Sequence, residues 1–281
     1  MTITLKNTKI SASINTIGAE LTTLIKGKNN YIWEVNEEFW NKTSPILFPI
    51  VGKLKNDSYT YQQESYTLPR HGFARNFDFK IINQTENSVG LYLENTVETF
   101  KMFPFDFELI IHYFLTENGL EISYSVTNKS KKIMPFSIGA HPAFAIENTF
   151  SNYSLIFNET ETMHSHQLEN EQFNNSEIKI DSKNGEIKLD YSLFEEDALV
   201  FKYLKSNEIT LNYNNDFVLK VIFKGFPYLG IWTKPNAPFL CIEPWCGLAD
   251  NLNFNGNIYE KEGINLLEPQ EIFKRTMKIE L

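Results

Sequence analysis

The 281-residue chain reads as an all-β protein of antiparallel sheets packed face to face. Three observations predict this. Apolar and polar residues alternate with period two in segment after segment, turn-forming residues punctuate the segments, and helical signals are few and short. Aromatic residues make up 14% of the chain, with 23 Phe and 13 Tyr, which suits strands and stacking surfaces better than helical bundles.

The elements follow in order. Residues 1–6 alternate as a strand does, without the apolar region of a signal peptide. Residues 20–25 form the next strand and end in Lys26-Gly27-Lys28-Asn29-Asn30, a turn sequence. Residues 36–41 and 96–102 carry the main helical signals. Strands are expected over 77–83 and 89–94. Residues 105–115 place Phe105, Phe107, Leu109, Ile111 and Tyr113 on one face, with His112 on the other beside Ile110 and Phe114. After Glu117-Asn118-Gly119, residues 120–127 carry apolar side chains at even positions. Residues 159–188 are polar and weakly periodic, which predicts a long excursion with an irregular hairpin, turning at Asn184-Gly185. Further strands are expected over 209–213, 217–223 and 229–233, with Asn214-Asn215-Asp216 as a hairpin turn.

A single domain over residues 1–281 is expected, because large all-β sandwiches reach this length and bury about three quarters of their unfolded surface. The net charge of −9, with no long basic stripe, argues against nucleic acid and anionic membranes as partners. No apolar run approaches the roughly 20 residues of a membrane helix. Two cysteines, Cys241 and Cys246, cannot build a disulfide framework, so reduced thiols and a cytoplasmic location are expected. They also lack the second Cys pair or nearby His cluster of a structural zinc site. Val51-Gly52-Lys53-Leu54-Lys55 falls short of a phosphate loop, and no dinucleotide fingerprint is present. His164-Ser165-His166 could put two imidazoles on one strand face, but its polar surroundings read as solvated loop.

Three islands carry chemistry. His71, in Arg70-His71-Gly72-Phe73-Ala74-Arg75, sits at a bend where backbone and ligand can approach; an exposed turn histidine is the plain alternative. His141, in Gly139-Ala140-His141-Pro142-Ala143-Phe144, precedes a proline that favours extended backbone, so its ring projects from a strand end; a hydrogen-bonded core histidine is its alternative. Glu243 interrupts the apolar run Phe239-Leu240-Cys241-Ile242-Glu243-Pro244-Trp245, where a carboxylate is costly unless paired or functional. Its alternative is a buried ion pair with Arg or Lys, and Pro244 suggests a strand edge or end.

Two imidazoles and a carboxylate can open a cyclic hemiacetal: a base takes the anomeric proton, an acid protonates the ring oxygen, and no metal or organic cofactor is required. At ordinary pKa values the Glu is ionised at neutral pH and the His can donate or accept. Trp232, Trp245, Phe73 and Phe144 lie beside the islands and could cover the apolar face of a sugar, with core packing expected for at least half of them.

The ordered motifs Phe48-Pro49-Ile50-Val51-Gly52-Lys53, Arg70 to Arg75, Gly139 to Phe144, Gly230-Ile231-Trp232-Thr233-Lys234-Pro235 and Ile242-Glu243-Pro244-Trp245 resemble the aldose 1-epimerase (galactose mutarotase) family, in its LacX-like branch. The resemblance spans nearly the whole chain and implies a galactose-mutarotase-like β-supersandwich with a cleft on one concave face. It implies Glu243 as general base, His141 as general acid and His71 as a sugar-binding, polarising histidine. Lys53 stands near the position of a substrate-binding Arg, and Asp197 is the best candidate for the family's substrate-binding Asp. His71 is followed by Gly72-Phe73 where galactose mutarotases have His-Gly-Gly, so the resemblance leaves the sugar open. Lys53, Arg70 and Arg75 could instead face a phosphate. The expected partner is thus a small sugar or sugar phosphate, and the expected assembly a monomer or weak homodimer. A non-catalytic carbohydrate-binding or sugar-sensing sandwich is the rival reading. Hydrolysis fits less well, because it usually needs two carboxylates.

Overall fold

The computed structural model describes residues 1–281. Two antiparallel sheets dominate. The larger has nine strands in the order Glu186–Lys188, Tyr153–Phe157, Glu208–Tyr213, Asp216–Ile222, Ile272–Glu280, Gly119–Asn128, Phe107–Leu115, Ser88–Glu94 and Lys80–Gln84. The smaller runs Leu199–Lys202, Tyr228–Trp232, Phe239–Cys246, Ile138–Ala140 and Ile46–Leu47, with Ala143–Ala145 also paired to Phe239–Cys246. A four-stranded sheet is formed by Thr2–Lys6, Ile10–Asn15, Glu20–Lys26 and Asn29–Asn30.

Side-chain alternation explains how the sheets meet. Leu109, Ile111 and Tyr113 of the large sheet and Leu229, Ile231, Leu240 and Ile242 of the small one belong to the same buried cluster. Removing this apolar area from water, at about 25 cal/mol per Å², supplies the main drive for stacking. The opposite face of the small sheet is also buried. Phe239 and Cys241 pack with Trp33, and Trp245 packs with Val51 and Tyr228. That second face is the concave one.

Most expected strands form, with shifted ends. The strand expected from residue 77 begins at Lys80, because Phe77 turns in to pack against Phe73. The hairpin turns Asn184-Gly185 and Asn214-Asn215 adopt the paired positive φ values that their residues favour. The helix expected over 96–102 forms as Val97–Met102, capped by Thr96 in a reciprocal bond with Thr99. Residues 36–41 do not form a helix. A single turn closed by an Asn36–Trp40 bridge replaces it, because Phe39 and Trp40 are drawn into contact with Trp33, Phe239 and Trp232. The polar excursion contains the expected irregular hairpin, His164–Glu169 with Gln172–Lys179, whose register shifts between His166 and Leu168. His164 and His166 therefore lie on a strand instead of a loop, and His166 pairs with Glu177 at 3.4 Å. No helix is long and apolar enough to cross a membrane.

Candidate active site

Glu243 owes its place to the central strand of the small sheet. Cys241, Glu243 and Trp245 alternate onto the concave face, while Leu240 and Ile242 enter the inter-sheet core. The strand beside it is broken. Gly139 lies opposite Trp245 and Ala143 opposite Cys241, with His141-Pro142 between the two paired pieces. His141 leaves the sheet at that break, and its Nε2 stands 3.2 Å from Oε2 of Glu243. Pro244 thus occupies an interior strand, not the edge its sequence suggests. The missing N–H is tolerated because the neighbouring ladder is interrupted there. Glu243 has no Arg or Lys ion partner; its close neighbour is an imidazole.

His71 is buried as well, so the exposed-turn alternative does not hold. Its φ of 66° is unusual for a non-glycine residue and is held by bonds on both sides: His71 N–H donates to Gly52 O, and Phe73 N–H donates to Phe48 O. Gly72 follows at φ 69°, with the Phe48 carbonyl oxygen 2.3 Å from where a Cβ would sit, so only glycine fits. The Gly52 N–H donates to Nδ1 of His71 at 3.1 Å. That bond assigns the lone pair to Nδ1 and leaves Nε2–H as the donor of a neutral ring. The His71 and His141 rings meet edge to face at 5.6 Å.

The two histidines and Glu243 open onto one cleft of about 850 Å³, its mouth included, within the range of small-molecule sites. Arg75, Asp197 and Trp232 also line it; Lys53 does not. Lys53 reaches the rim only through Glu171, 3.1 Å away. Arg75 donates to the Arg70 carbonyl at 2.7 Å, and burial followed by the Arg70 charge lowers its pKa. Asp197 holds a φ of 132°, a region that glycine mostly occupies, and accepts from Ala198 N–H. Of the four aromatics singled out in the sequence, Trp232 and Trp245 face the cleft, whereas Phe73 and Phe144 are core. Trp245 lies flat across two glycines: a Cβ on Gly230 would fall 2.4 Å from its ring and one on Gly139 2.7 Å.

Three lining features escaped the sequence reading. Trp40 stacks on His141 at 4.8 Å and meets Trp232 edge-on at 5.7 Å. Only its rarity, as one of four tryptophans, could have flagged it. Phe173 and Glu171 come from the polar excursion, whose hairpin folds over the cleft.

Burial alters the expected ionisation. It pushes the Glu243 carboxyl well above its usual range, a rise that the Arg70 charge only partly offsets. It pushes His141 down to about 3, with Arg70 adding to the effect, and His71 well below 6.5 for the same reasons. Both groups therefore favour their uncharged forms in the fold, a protonated carboxyl beside a neutral imidazole. Oε2 of Glu243, Nδ1 of His141 and Nε1 of Trp245 are all buried without a hydrogen-bond partner, although the indole lies near enough to favour the carboxylate somewhat. Such atoms are costly unless a ligand satisfies them. Cys241, expected to have no metal-binding company, lies beside His141 and Glu243, with ligand-type atoms within 4.8 Å of one another. Its thiol is free, and burial raises its pKa, disfavouring the thiolate a soft metal would need.

An antiparallel supersandwich with a buried acid–base pair and tryptophan walls on its concave face is a galactose-mutarotase-like protein. The aldose 1-epimerase family model matches residues 1–279, and the chain belongs to that family. It is 35% identical over 304 aligned residues to the plasmid-encoded protein LacX of Lactococcus lactis subsp. lactis, covering 99% of both chains. Its structure is similar to a galactose mutarotase related enzyme from Lactobacillus acidophilus (34% identity, TM-score 0.95, 100% of this chain and 97% of that one). A galactose mutarotase-like protein from Lactobacillus casei is comparable (30%, 0.95, 100% and 99%). The galactose 1-epimerase from Lactobacillus acidophilus, at 16% identity and TM-score 0.73 over 99% and 93%, shares the fold.

Proposed function

We propose that the protein is a mutarotase that interconverts the α and β anomers of an aldohexose. The observation that carries this reading is the buried Glu243–His141 pair, 3.2 Å apart in a tryptophan-walled cleft. In its ionised form the pair offers a carboxylate to the anomeric hydroxyl and an imidazolium to the ring oxygen. Glu243 takes the O1 proton as the C1–O5 bond breaks and C1=O1 forms; His141 gives its proton to O5. The pair then still holds one proton, now on oxygen. Rotation about C1–C2 presents the other aldehyde face, and reclosure returns both protons. No net proton crosses the site, which suits groups whose charges burial disfavours.

His71, with its Nε2–H free, donates to a sugar oxygen near the reacting centre and stabilises charge developing there. Trp40, Trp232 and Trp245 cover the apolar face of the pyranose, and Arg75 and Asp197 bind hydroxyls. Polarimetry or exchange NMR on fresh α-glucose and α-galactose tests the reading. Catalysed anomer exchange is expected, with Glu243→Gln reducing it by about 10²–10⁴-fold. Sugar binding by calorimetry without faster exchange would favour the rival binding protein instead.

A further inference from the structure

The mouth of the cleft carries its own anion. Glu171 sits at the turn of the hairpin formed by His164–Glu169 and Gln172–Lys179, where Asn170 and Glu171 both have positive φ. One carboxylate oxygen lies 3.1 Å from Nζ of Lys53 and the other 2.5 Å from a guanidinium nitrogen of Arg70. Glu171 and Arg70 both line the cleft. The hairpin is tied to the body of the protein: Phe173 N–H donates to Asp250 O, and Leu252 N–H donates to Phe173 O. The carboxylate is therefore delivered to the two cations by an anchored element.

This occupation decides which sugars fit. A phosphoryl or carboxylate substituent would be drawn to the Lys53–Arg70 fork, since paired cations suit such groups. That fork already has one carboxylate oxygen on each cation. An incoming anion must break both contacts and then lie beside the displaced Glu171, with Asp197 adding a second negative charge to the cleft. An uncharged sugar meets neither obstacle. Like-charge juxtaposition of this kind is a recognised means of rejecting a wrong ligand.

We propose that Glu171 is a specificity-determining residue: by filling the anion seat formed by Lys53 and Arg70, it restricts the cleft to uncharged aldoses and excludes sugar phosphates and sugar acids. This rests on the mutarotase reading for the reaction, but not for the charge of the ligand.

The test compares the full chain with Glu171→Gln on glucose and glucose 6-phosphate, by exchange NMR at low salt. The parent is expected to favour glucose in kcat/KM. Glu171→Gln should shift the ratio toward the phosphate by about tenfold or more, and adding Lys53→Met should reverse the shift. A parent that prefers glucose 6-phosphate, or a ratio unmoved by Glu171→Gln, would overturn the proposal. Titration with inorganic phosphate gives a readout independent of turnover. Phosphate should bind Glu171→Gln about tenfold more tightly than the parent, and equal affinities would overturn the proposal. If the parent accelerates neither sugar, the mutarotase reading fails and the phosphate titration alone decides the role of Glu171.

Discussion

His141 stands directly across from Glu243 in the sheet register, although no ladder pairing joins them. Gly139 opposite Trp245 and Ala143 opposite Cys241 set one common register on either side of the break. The residue midway between the first two partners therefore faces the residue midway between the second two. Residues 102 positions apart meet as cross-strand neighbours, held by backbone and not by a flexible loop.

The pair should behave as a unit. Glu243→Gln and His141→Asn are each expected to lower kcat/KM by about 10²–10⁴-fold, and the double variant only slightly further. Exchange NMR on all three variants checks this. Multiplicative losses would show two independent contributors.

The pH dependence of kcat/KM should be broad. The acid limb appears when the pair takes up a second proton, which the lowered His141 value places well below pH 6.5; the alkaline limb appears when the raised Glu243 carboxyl loses its own. A plateau that reaches well below pH 6.5 is expected in buffer-corrected rates. An acid limb near pH 6.5 would signal an imidazole titrating as it does in water.

Stability should record the same proton. Folded Glu243 keeps its proton where the unfolded chain loses it, so wild-type stability falls as pH rises above about 4.5. Gln has no proton to lose. Urea unfolding at pH 5 and pH 7 should show Glu243→Gln gaining stability relative to wild type between the two, up to about 2.7 kcal/mol for a single proton. A difference independent of pH would remove the raised carboxyl.

Gly72→Ala should be severe although position 72 bears no chemistry. The positive φ and the Phe48 carbonyl leave no room for a methyl group. A loss of at least about 2 kcal/mol in denaturant unfolding is expected, with His71 displaced. Unchanged stability would mean that the turn is softer than its geometry indicates.

Strand alternation made much of the fold legible. The even-numbered face of residues 120–127 and the odd-numbered face of 105–115 are the buried ones. Glu243 was visible because a lone carboxylate in an apolar strand has few innocent explanations. Other features depend on tertiary placement. Trp40 sat in a segment with local helical character that aromatic packing overrode. Glu171 lay in a polar stretch that local pattern cannot distinguish from solvated surface. The place of Pro244 needed knowledge of where its neighbour breaks, which no single strand encodes. The ionisation of Glu243 and His141 likewise follows from burial, which residue type alone does not give.

Asp250 joins the segment that carries Lys53 to the hairpin that carries Glu171 and Phe173. Its side chain accepts from Lys261 Nζ at 2.5 Å and from Lys55 N–H at 2.8 Å, its backbone N–H donates to Lys53 O, and its carbonyl accepts from Phe173 N–H. Both members of the Asp250–Lys261 pair are enclosed, where stranding one charge costs several kcal/mol. The stiffness of this side of the entrance is therefore governed by a keystone that does not line the cleft, and the wall can be retuned from behind without altering any surface that faces the opening.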